Sequence, residues 1–108
     1  MFVASWCAPC HGELARLAEI VRGAQPYRIL VVPFDETRPT RAMLERVPPA
    51  QRWHPDRGTQ RRLATEVEHR SAGLPFSLAL DRDAQICAAH AEALDAASAA
   101  AMVAACCR

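Results

Sequence analysis

The sequence predicts an α/β domain built on a four-stranded mixed sheet with helices on both faces. Residues 1–5 and 28–34 are short, almost continuously apolar runs, which is typical of strands covered on both sides. A segment with helical periodicity, Ala8 to Arg22, separates them, and a helix that connects two strands of one sheet makes those strands parallel. Two further strand-like runs flank the turn Asp81 to Ala84, which predicts a hairpin and two antiparallel neighbours.

The first helix and the strand after it follow from periodicity and from chain breakers. Apolar side chains recur at helical spacing and form one face, and Gly23 suits a C-terminal cap. These apolar residues are Leu14, Leu17, Ala18 and Val21. Pro33 marks the end of the second strand or an irregularity in it, because proline cannot donate to a ladder.

Two helices and a loop are predicted between the second strand and the hairpin. Residues 40–47 predict a short helix that ends before a Pro-Pro pair, and residues 59–70 predict a longer one. Residues 50–58 contain proline, aspartate and glycine and predict a loop. We interpret Trp53 and His54, which lie in that loop, as its anchors rather than as a cover over a site.

The hairpin and a final helix complete the predicted order β-α-β-α-α-β-β-α. Gly73-Leu74-Pro75 interrupts the preceding helix, and strands are predicted at residues 76–80 and 85–90. The last helix is predicted from Asp95, a suitable N-cap, to Cys107. The chain is therefore expected to form a single domain over residues 1–108.

Composition argues against several classes of function. The net charge is +1, so no general attraction to nucleic acid or to acidic membranes is implied. No apolar run reaches membrane-spanning length, and the first residues lack the basic-then-apolar pattern of a signal peptide. Because residues 1–5 begin abruptly as an apolar strand, we expect the natural protein to extend upstream of Met1. Five cysteines are too few for a disulfide scaffold.

The stretch Ser5-Trp6-Cys7-Ala8-Pro9-Cys10 carries the strongest chemical signal. It lies where the first apolar run gives way to the first helix. Cys7 is then expected near the unsatisfied N–H groups of the helix's first turn, which favour negative charge and hence the reactive thiolate. Cys10 lies one turn inside the helix, so we expect it to be more buried and to react second. The spacing therefore predicts a redox-active dithiol.

Two other interpretations of this dithiol stay open. A CxxC pair can be half of a zinc or Cu(I) site, although that needs a second pair of ligands at a workable spacing. Cys106 and Cys107 are adjacent rather than spaced. The four histidines do not form such a pair: they are His11, His54, His69 and His90. The other interpretation is a degenerate or mis-started fragment that keeps the motif without the activity.

The remaining cysteines are interpreted as structural. Cys106 lies on the apolar face of the last helix and is most simply a small core residue, while Cys87 fills space in the hairpin. A Cys87–Cys106 bond is geometrically conceivable but is the less favoured interpretation. Adjacent Cα atoms lie about 3.8 Å apart, below the usual disulfide range, so Cys106 and Cys107 are not expected to pair. Cys107 is predicted to be an exposed thiol.

On these residues the chain resembles the thioredoxin-fold superfamily, and most of all the exported TlpA-like thiol–disulfide oxidoreductases. The residues that carry the resemblance are the stretch from Phe2 to Cys10, then Glu13, Gly73-Leu74-Pro75, the strand 76–80 and Asp81-Arg82-Asp83. The resemblance implies a thioredoxin-like fold truncated at its N-terminus, because the family's upstream strand and hairpin are absent and one sheet edge is left uncovered. Ala84 stands where relatives usually have a turn glycine, and Phe76 where threonine is common.

The resemblance implies roles for five residues. Cys7 is the attacking thiol, Cys10 is the resolving thiol, and Trp6 flanks the dithiol. Pro75 is expected to follow a cis bond and to pack against the cysteines, while Leu74 offers its backbone to an extended substrate. Taken alone, an X-Pro bond would more often be trans.

Glu13 lies three residues after Cys10, on the same helix face. A buried carboxylate at this place could take the proton from Cys10, and burial would raise its pKa towards the working range. The resemblance implies a glutamate here. The alternative is a solvated carboxylate in the first turn, whose negative charge interacts favourably with the helix dipole.

The function expected from the sequence is reduction of protein disulfides by dithiol exchange through Cys7 and Cys10, without a cofactor or a metal. The expected partners are a protein disulfide substrate and an upstream electron-donor thiol protein, and the chain is expected to act as a monomer. The resemblance implies the periplasm, with the cytoplasm as the alternative.

Overall fold

The chain folds into five α-helices and four short strands over the part that the structure describes. The structure is a computed structural model, and it describes residues 1–70 and 73–106. The strands are β1 (Phe2–Val3), β2 (Val32–Pro33), β3 (Ser77–Leu80) and β4 (Ile86–His90). The helices are α1 (Ala8–Ala15), α2 (Leu17–Gly23), α3 (Arg38–Glu45), α4 (Arg57–Arg70) and α5 (Ala96–Cys106), with a 3-10 turn at Pro49–Gln51. The mixed α/β class is confirmed, with the first predicted helix divided in two.

The strands form two sheets of two strands rather than the predicted single four-stranded sheet. β1 pairs with β2 in parallel, with Phe2 opposite Val32, and β3 pairs with β4 in antiparallel. One antiparallel bridge joins the two sheets, where the Phe2 N–H donates to the Phe76 carbonyl over 2.9 Å. The order in space is thus β2, β1, β3, β4. The bridge is isolated, and β1 and β3 form no continuous ladder.

Residues 28–34 pair with β1 over a shorter stretch than predicted, since only β2 does so. Val31 forms a parallel bridge to Arg52. Its N–H donates to the Gln51 carbonyl over 2.6 Å, and its carbonyl accepts the Trp53 N–H over 3.1 Å. The loop after α3 therefore lies along the edge of β2 that faces away from β1, and its backbone is anchored there.

The predicted first helix is interrupted at Arg16, which leaves helical geometry with φ −113° and ψ 22°. The Arg16 Nε donates to the Leu94 carbonyl over 2.8 Å, so a contact with the segment before α5 accompanies the break. Gly23 is the last residue of α2 and not its cap, which is Ala24. A Cβ on Gly23 would lie 2.8 Å from the Ala96 Cα, so the close packing of α2 on α5 requires glycine here.

Local capping groups set the starts of the later helices. The Thr37 side chain caps α3, and Asp56 accepts the Thr59 N–H over 2.8 Å at the start of α4. Both helices therefore begin two residues before their predicted starts. Asp95 caps α5 by accepting the Ser98 N–H over 2.8 Å, as predicted.

The predicted hairpin is confirmed as β3 and β4. Asp81 tightens its turn by accepting the N–H groups of Asp83 and Gln85 over 2.9 and 3.0 Å. Ala84 adopts a φ of 59°, in the left-handed region that favours glycine. For an alanine, this left-handed backbone conformation costs about 1–2 kcal/mol of conformational free energy relative to the right-handed one.

Two clusters of buried apolar side chains lie on opposite faces of the strands. The larger includes Val3 and is formed mainly by α1, α2, α3 and α5. The smaller includes Phe2 and Val67 of α4. Because adjacent residues of a strand point to opposite faces, helices pack on both sides of β1. Within the described residues, no helix is both long and apolar enough to cross a bilayer.

Candidate active site

Cys7 and Cys10 form a disulfide at the N-terminal end of α1. Cys7 is the N-cap, with φ −94° and ψ 100°, and Cys10 lies one turn inside the helix. Their Cα atoms are 5.3 Å apart, and the two residues are only 4% and 0% exposed. The two sulfurs therefore meet at a helix N-terminus, as the spacing predicts.

The backbone groups around these two sulfurs differ in polarity. The Cys10 N–H donates to the Cys7 Sγ over 3.2 Å. The Cys10 Sγ instead lies 3.9 Å from the Phe2 carbonyl oxygen. In the reduced protein, a donor at Cys7 favours the thiolate, whereas an acceptor at Cys10 favours the protonated thiol.

Trp6 lies next to the disulfide in sequence, and its side chain is 61% exposed. Its Nε1–H donates to the Asp35 Oδ2 over 2.9 Å. Its ring meets the Phe34 ring edge to face, with centroids 6.3 Å apart. These two contacts hold an exposed apolar surface in one orientation beside Cys7.

Asp35 and two threonines at the start of α3 position the loop that carries Trp6. Asp35 Oδ1 accepts the N–H and the hydroxyl of Thr37 over 3.1 and 2.7 Å, and the buried Thr40 hydroxyl accepts the Ser5 N–H over 3.0 Å. Partial burial raises the pKa of Asp35, but hydrogen bonds from the two threonines and from Trp6 outweigh it and hold the pKa below its usual value. This role of Asp35 was not predicted from the sequence, although an aspartate two residues before a threonine is typical of a side-chain turn.

Glu13 is fully buried on α1, one turn beyond Cys10. Its Oε2 accepts the Leu94 N–H over 2.7 Å, and its Oε1 has no partner among the described residues. Burial raises the pKa of this carboxyl, and the bond from Leu94 and nearby positive charges lower it by less. The alternative of a solvated acid is therefore wrong, while a role in proton transfer stays a prediction.

The Leu74–Pro75 peptide bond is cis, as the family resemblance implies. Leu74 is half-buried and packs against both core clusters, and the larger of these contains Cys7 and Cys10. Packing of Pro75 itself on the cysteines stays a prediction.

A second disulfide joins Cys87 in β4 to Cys106 in α5. The favoured interpretation of these two residues, as a core cysteine and a space-filling one, is therefore wrong. α5 packs along the hairpin and brings the two positions together, with Cα atoms 5.3 Å apart. Periodicity within either segment carries no signal of that contact. The prediction for Cys107 falls outside the described residues.

His11, which follows Cys10, bonds to the loop instead of to a metal-ligand cluster. Its exposed ring places Nε2 2.8 Å from the Ser5 carbonyl oxygen. Across residues 1–70 and 73–106, no three side chains of His, Cys, Asp or Glu gather closely enough to hold a metal ion.

A scan against models of protein families and searches of curated proteins and of solved structures found no match to this chain.

Proposed function

We propose that this protein is a thiol–disulfide oxidoreductase that reduces protein disulfides through Cys7 and Cys10. The observation that carries the proposal is the position of Cys7 at the N-terminus of α1, bonded to a cysteine one turn deeper. First-turn N–H groups and the helix dipole lower a thiol pKa, and this distinguishes reactive cysteines from structural ones. The WCxPC box and the Gly-Leu-Pro segment support a thioredoxin-like fold of the TlpA-like kind.

The first step is attack by the reduced protein. The Cys7 thiolate forms a bond to one sulfur of the substrate disulfide, the substrate S–S bond breaks, and the other substrate sulfur leaves as a thiolate. The product is a mixed disulfide between Cys7 and the substrate. The hydrogen bond from the Cys10 N–H to the Cys7 Sγ supports Cys7 as the attacking residue.

In the second step Cys10 attacks the Cys7 sulfur of the mixed disulfide. The Cys7–Cys10 bond forms, the bond to the substrate breaks, and the second substrate sulfur leaves, so the substrate gains two electrons and the protein loses two. Cys10 must first give up its proton. Glu13 is the proposed acceptor, because it is buried one turn away and its Oε1 has no partner within residues 1–70 and 73–106. Its raised pKa makes the transfer less unfavourable.

Substrate binding is assigned to three residues beside the dithiol. The exposed Trp6 ring offers an apolar surface, and Leu74 and Pro75 offer backbone groups to an extended substrate strand. An electron-donor thiol protein would return the dithiol to its reduced state by the same exchange. The direction of net flux depends on the reduction potentials of the partners.

The compartment is proposed on the same grounds. Two disulfides are compatible with an oxidising compartment, and the resemblance to exported oxidoreductases favours the periplasm over the cytoplasm.

The test is reduction of insulin disulfides with dithiothreitol as the electron donor. We expect Cys7→Ser to lower the rate to that of dithiothreitol alone. The matched control is Cys87→Ala combined with Cys106→Ala, which removes the other disulfide and should keep the activity. Undiminished reduction by Cys7→Ser would overturn the proposal. Stoichiometric zinc or copper in protein purified without chelators would instead favour the metal-binding alternative.

A further inference from the structure

The arginines of this chain are unevenly distributed. Residues 38–62 contain seven of the 13 arginines and two of the 12 acidic residues, which gives this segment a net charge of +5. The rest of the chain carries six arginines and ten acidic residues, a net charge of −4. The overall charge of +1 therefore conceals a basic segment, residues 38–62, set against an acidic remainder.

The basic segment is anchored at the end of the sheet that carries the dithiol. It contains α3, the loop along the edge of β2 and the first six residues of α4. In α3 the Thr40 hydroxyl accepts the Ser5 N–H over 3.0 Å, and in α4 the Gln60 side chain donates to the Pro33 carbonyl over 2.9 Å. Ser5 follows β1 and Pro33 ends β2, so both contacts lie at the carboxyl ends of the two parallel strands.

Two exposed arginines flank the anchoring residue in each helix. They are Arg38 and Arg41 in α3, and Arg57 and Arg61 in α4. Their guanidinium groups make no hydrogen bond and no ion pair to any residue within 1–70 and 73–106, a part of the chain whose one ion pair joins Arg70 to Glu66. Four cations beside the dithiol are therefore available to an anionic partner.

The acidic residues nearby do not cancel this charge. Asp35 and Asp56 accept hydrogen bonds from threonines in their own turns. Glu36 and Glu45 are exposed, and their carboxylates form no ion pair with any residue that the structure describes. With Asp35 and Glu36 included, residues 35–62 keep a net charge of +3.

We propose that the basic segment recognises acidic polypeptides, so that the preferred substrates carry aspartate or glutamate beside the disulfide. The inference rests on the proposed function, because the partner that lies against the start of α3 while Cys7 reacts is then a polypeptide and not a nucleic acid. Arginine suits this role because its planar guanidinium is always charged and binds a carboxylate through two parallel N–H donors. The exposed Trp6 ring adds an apolar contact between the dithiol and the arginines of α3.

The first test is binding to the oxidised protein, which separates recognition from exchange. Fluorescence anisotropy compares the labelled peptide Gly-Asp-Asp-Ser-Gly-Ser-Asp-Asp-Gly with the same peptide carrying asparagine in place of aspartate. Because each exposed ion pair contributes about 2- to 5-fold in affinity at low salt, we expect the acidic peptide to bind at least ~5-fold more tightly. In about 0.5 M salt the difference should shrink to within ~2-fold. Equal affinities at low salt would overturn the proposal.

Matched variants test whether the segment or the net charge is responsible. Arg38→Gln combined with Arg41→Gln should reduce the preference for the acidic peptide to ~2-fold or less. The control is Arg22→Gln combined with Arg82→Gln, which removes the same charge from exposed positions outside the segment and should keep the preference. An equal loss in both double variants would overturn the proposal, because the overall charge would then account for binding.

A third arm uses a five-nucleotide oligothymidylate, which carries the same number of charges as the acidic peptide. Binding of this oligonucleotide at least ~10-fold more tightly than the peptide, with the same dependence on Arg38 and Arg41, would overturn the proposal in favour of a nucleic acid.

The last arm measures exchange by the reduced protein. The two serines of each peptide are replaced by cysteines joined in a disulfide, and each rate is divided by the rate with dithiothreitol alone, which corrects for the effect of the aspartates on the disulfide itself. We expect the acidic peptide to be favoured by at least ~5-fold. Equal relative rates would overturn the inference and leave the proposed function intact. If neither peptide is reduced while the binding preference persists, the proposed function fails and the recognition of acidic polypeptides stands.

Discussion

The two disulfides of this protein have the same Cα separation, 5.3 Å, in very different settings. Cys7 and Cys10 are three residues apart and lie within one turn of α1, which already holds them close. Cys87 and Cys106 are 19 residues apart, and their bond links β4 to α5. In the chain-entropy account, closing the short loop contributes about 2 kcal/mol and closing the long one about 3 kcal/mol. The first bond can open at smaller cost to the fold than the second.

The neighbours of the sulfurs sharpen this difference. The Cys7 Sγ accepts an N–H from Cys10, whereas the Cys87 Sγ lies 3.4 Å from the Ala79 carbonyl oxygen. A donor favours the thiolate and an acceptor favours the thiol. The backbone groups around the two bonds therefore differ in the way expected if Cys7–Cys10 exchanges, as proposed, and Cys87–Cys106 does not.

The largest expected effect is on stability. Replacing Cys87 and Cys106 together by alanine should lower the free energy of unfolding by about 3 kcal/mol. In that double variant, reducing Cys7–Cys10 should cost less than about 2 kcal/mol, because the folded state also stabilises the Cys7 thiolate. Urea denaturation measures both values, provided the m-value is unchanged. A larger loss from reducing Cys7–Cys10 would reverse the comparison.

The next effect is on thiol reactivity. In the fully reduced protein at about pH 6, iodoacetamide should modify Cys7 at least ~10-fold faster than Cys87, because the thiolate is the nucleophile. Mass mapping of partly labelled protein gives both rates in one experiment. In urea, where the backbone contacts are lost, the two rates should converge. Faster labelling of Cys87 in the folded protein would contradict the assignment of the exchange site.

What the sequence could predict depends on how far along the chain each contact reaches. The Cys7 cap, the hairpin and the Asp95 cap were predicted because each is made by residues a few positions apart. The break at Arg16 was not, because its partner Leu94 is 78 residues away. The Cys87–Cys106 bond was misjudged for the same reason, since only the packing of α5 on the hairpin brings the two cysteines together.

A smaller effect concerns Glu13, which is buried one turn beyond Cys10 and has no counterpart at the Cys87–Cys106 bond in the proposed function. The pKa of the Glu13 carboxyl is raised from 4.5 in the folded protein. As the pH rises, this carboxyl therefore stays protonated to a higher pH in the folded protein than in the unfolded chain. Its contribution to stability is full below the unfolded pKa and is lost as the pH rises through the folded pKa, at up to ~1.4 kcal/mol per pH unit. Glu13→Gln cannot titrate, so this decline should disappear in thermal melts across that window.

The control for Glu13 is Glu19→Gln, which changes an exposed carboxylate on α2. It should leave both the pH dependence of stability and insulin reduction unchanged. Glu13→Gln should also slow the second step of exchange, so that more mixed disulfide with the substrate accumulates. A melt that keeps its full pH dependence in Glu13→Gln would show that the buried carboxyl is not the titrating group.

The smallest effect concerns Asp35, whose hydrogen bonds hold Trp6 beside Cys7. An asparagine keeps one carbonyl oxygen but cannot accept from both Trp6 and Thr37, so Asp35→Asn should cost ~0.5–1 kcal/mol at this partly solvated site. The lowered pKa of Asp35 means that this stabilisation is present above the unfolded pKa and is lost as the pH falls through the folded pKa.

Asp35→Asn should also raise the KM for insulin, because it frees the Trp6 indole. The control is Asp95→Asn, which alters a helix cap remote from Trp6 and should leave insulin reduction unchanged. An unchanged KM in Asp35→Asn would mean that the orientation of Trp6 does not contribute to substrate binding, and the contrast between the two disulfides would then rest on the sulfur atoms and their backbone neighbours alone.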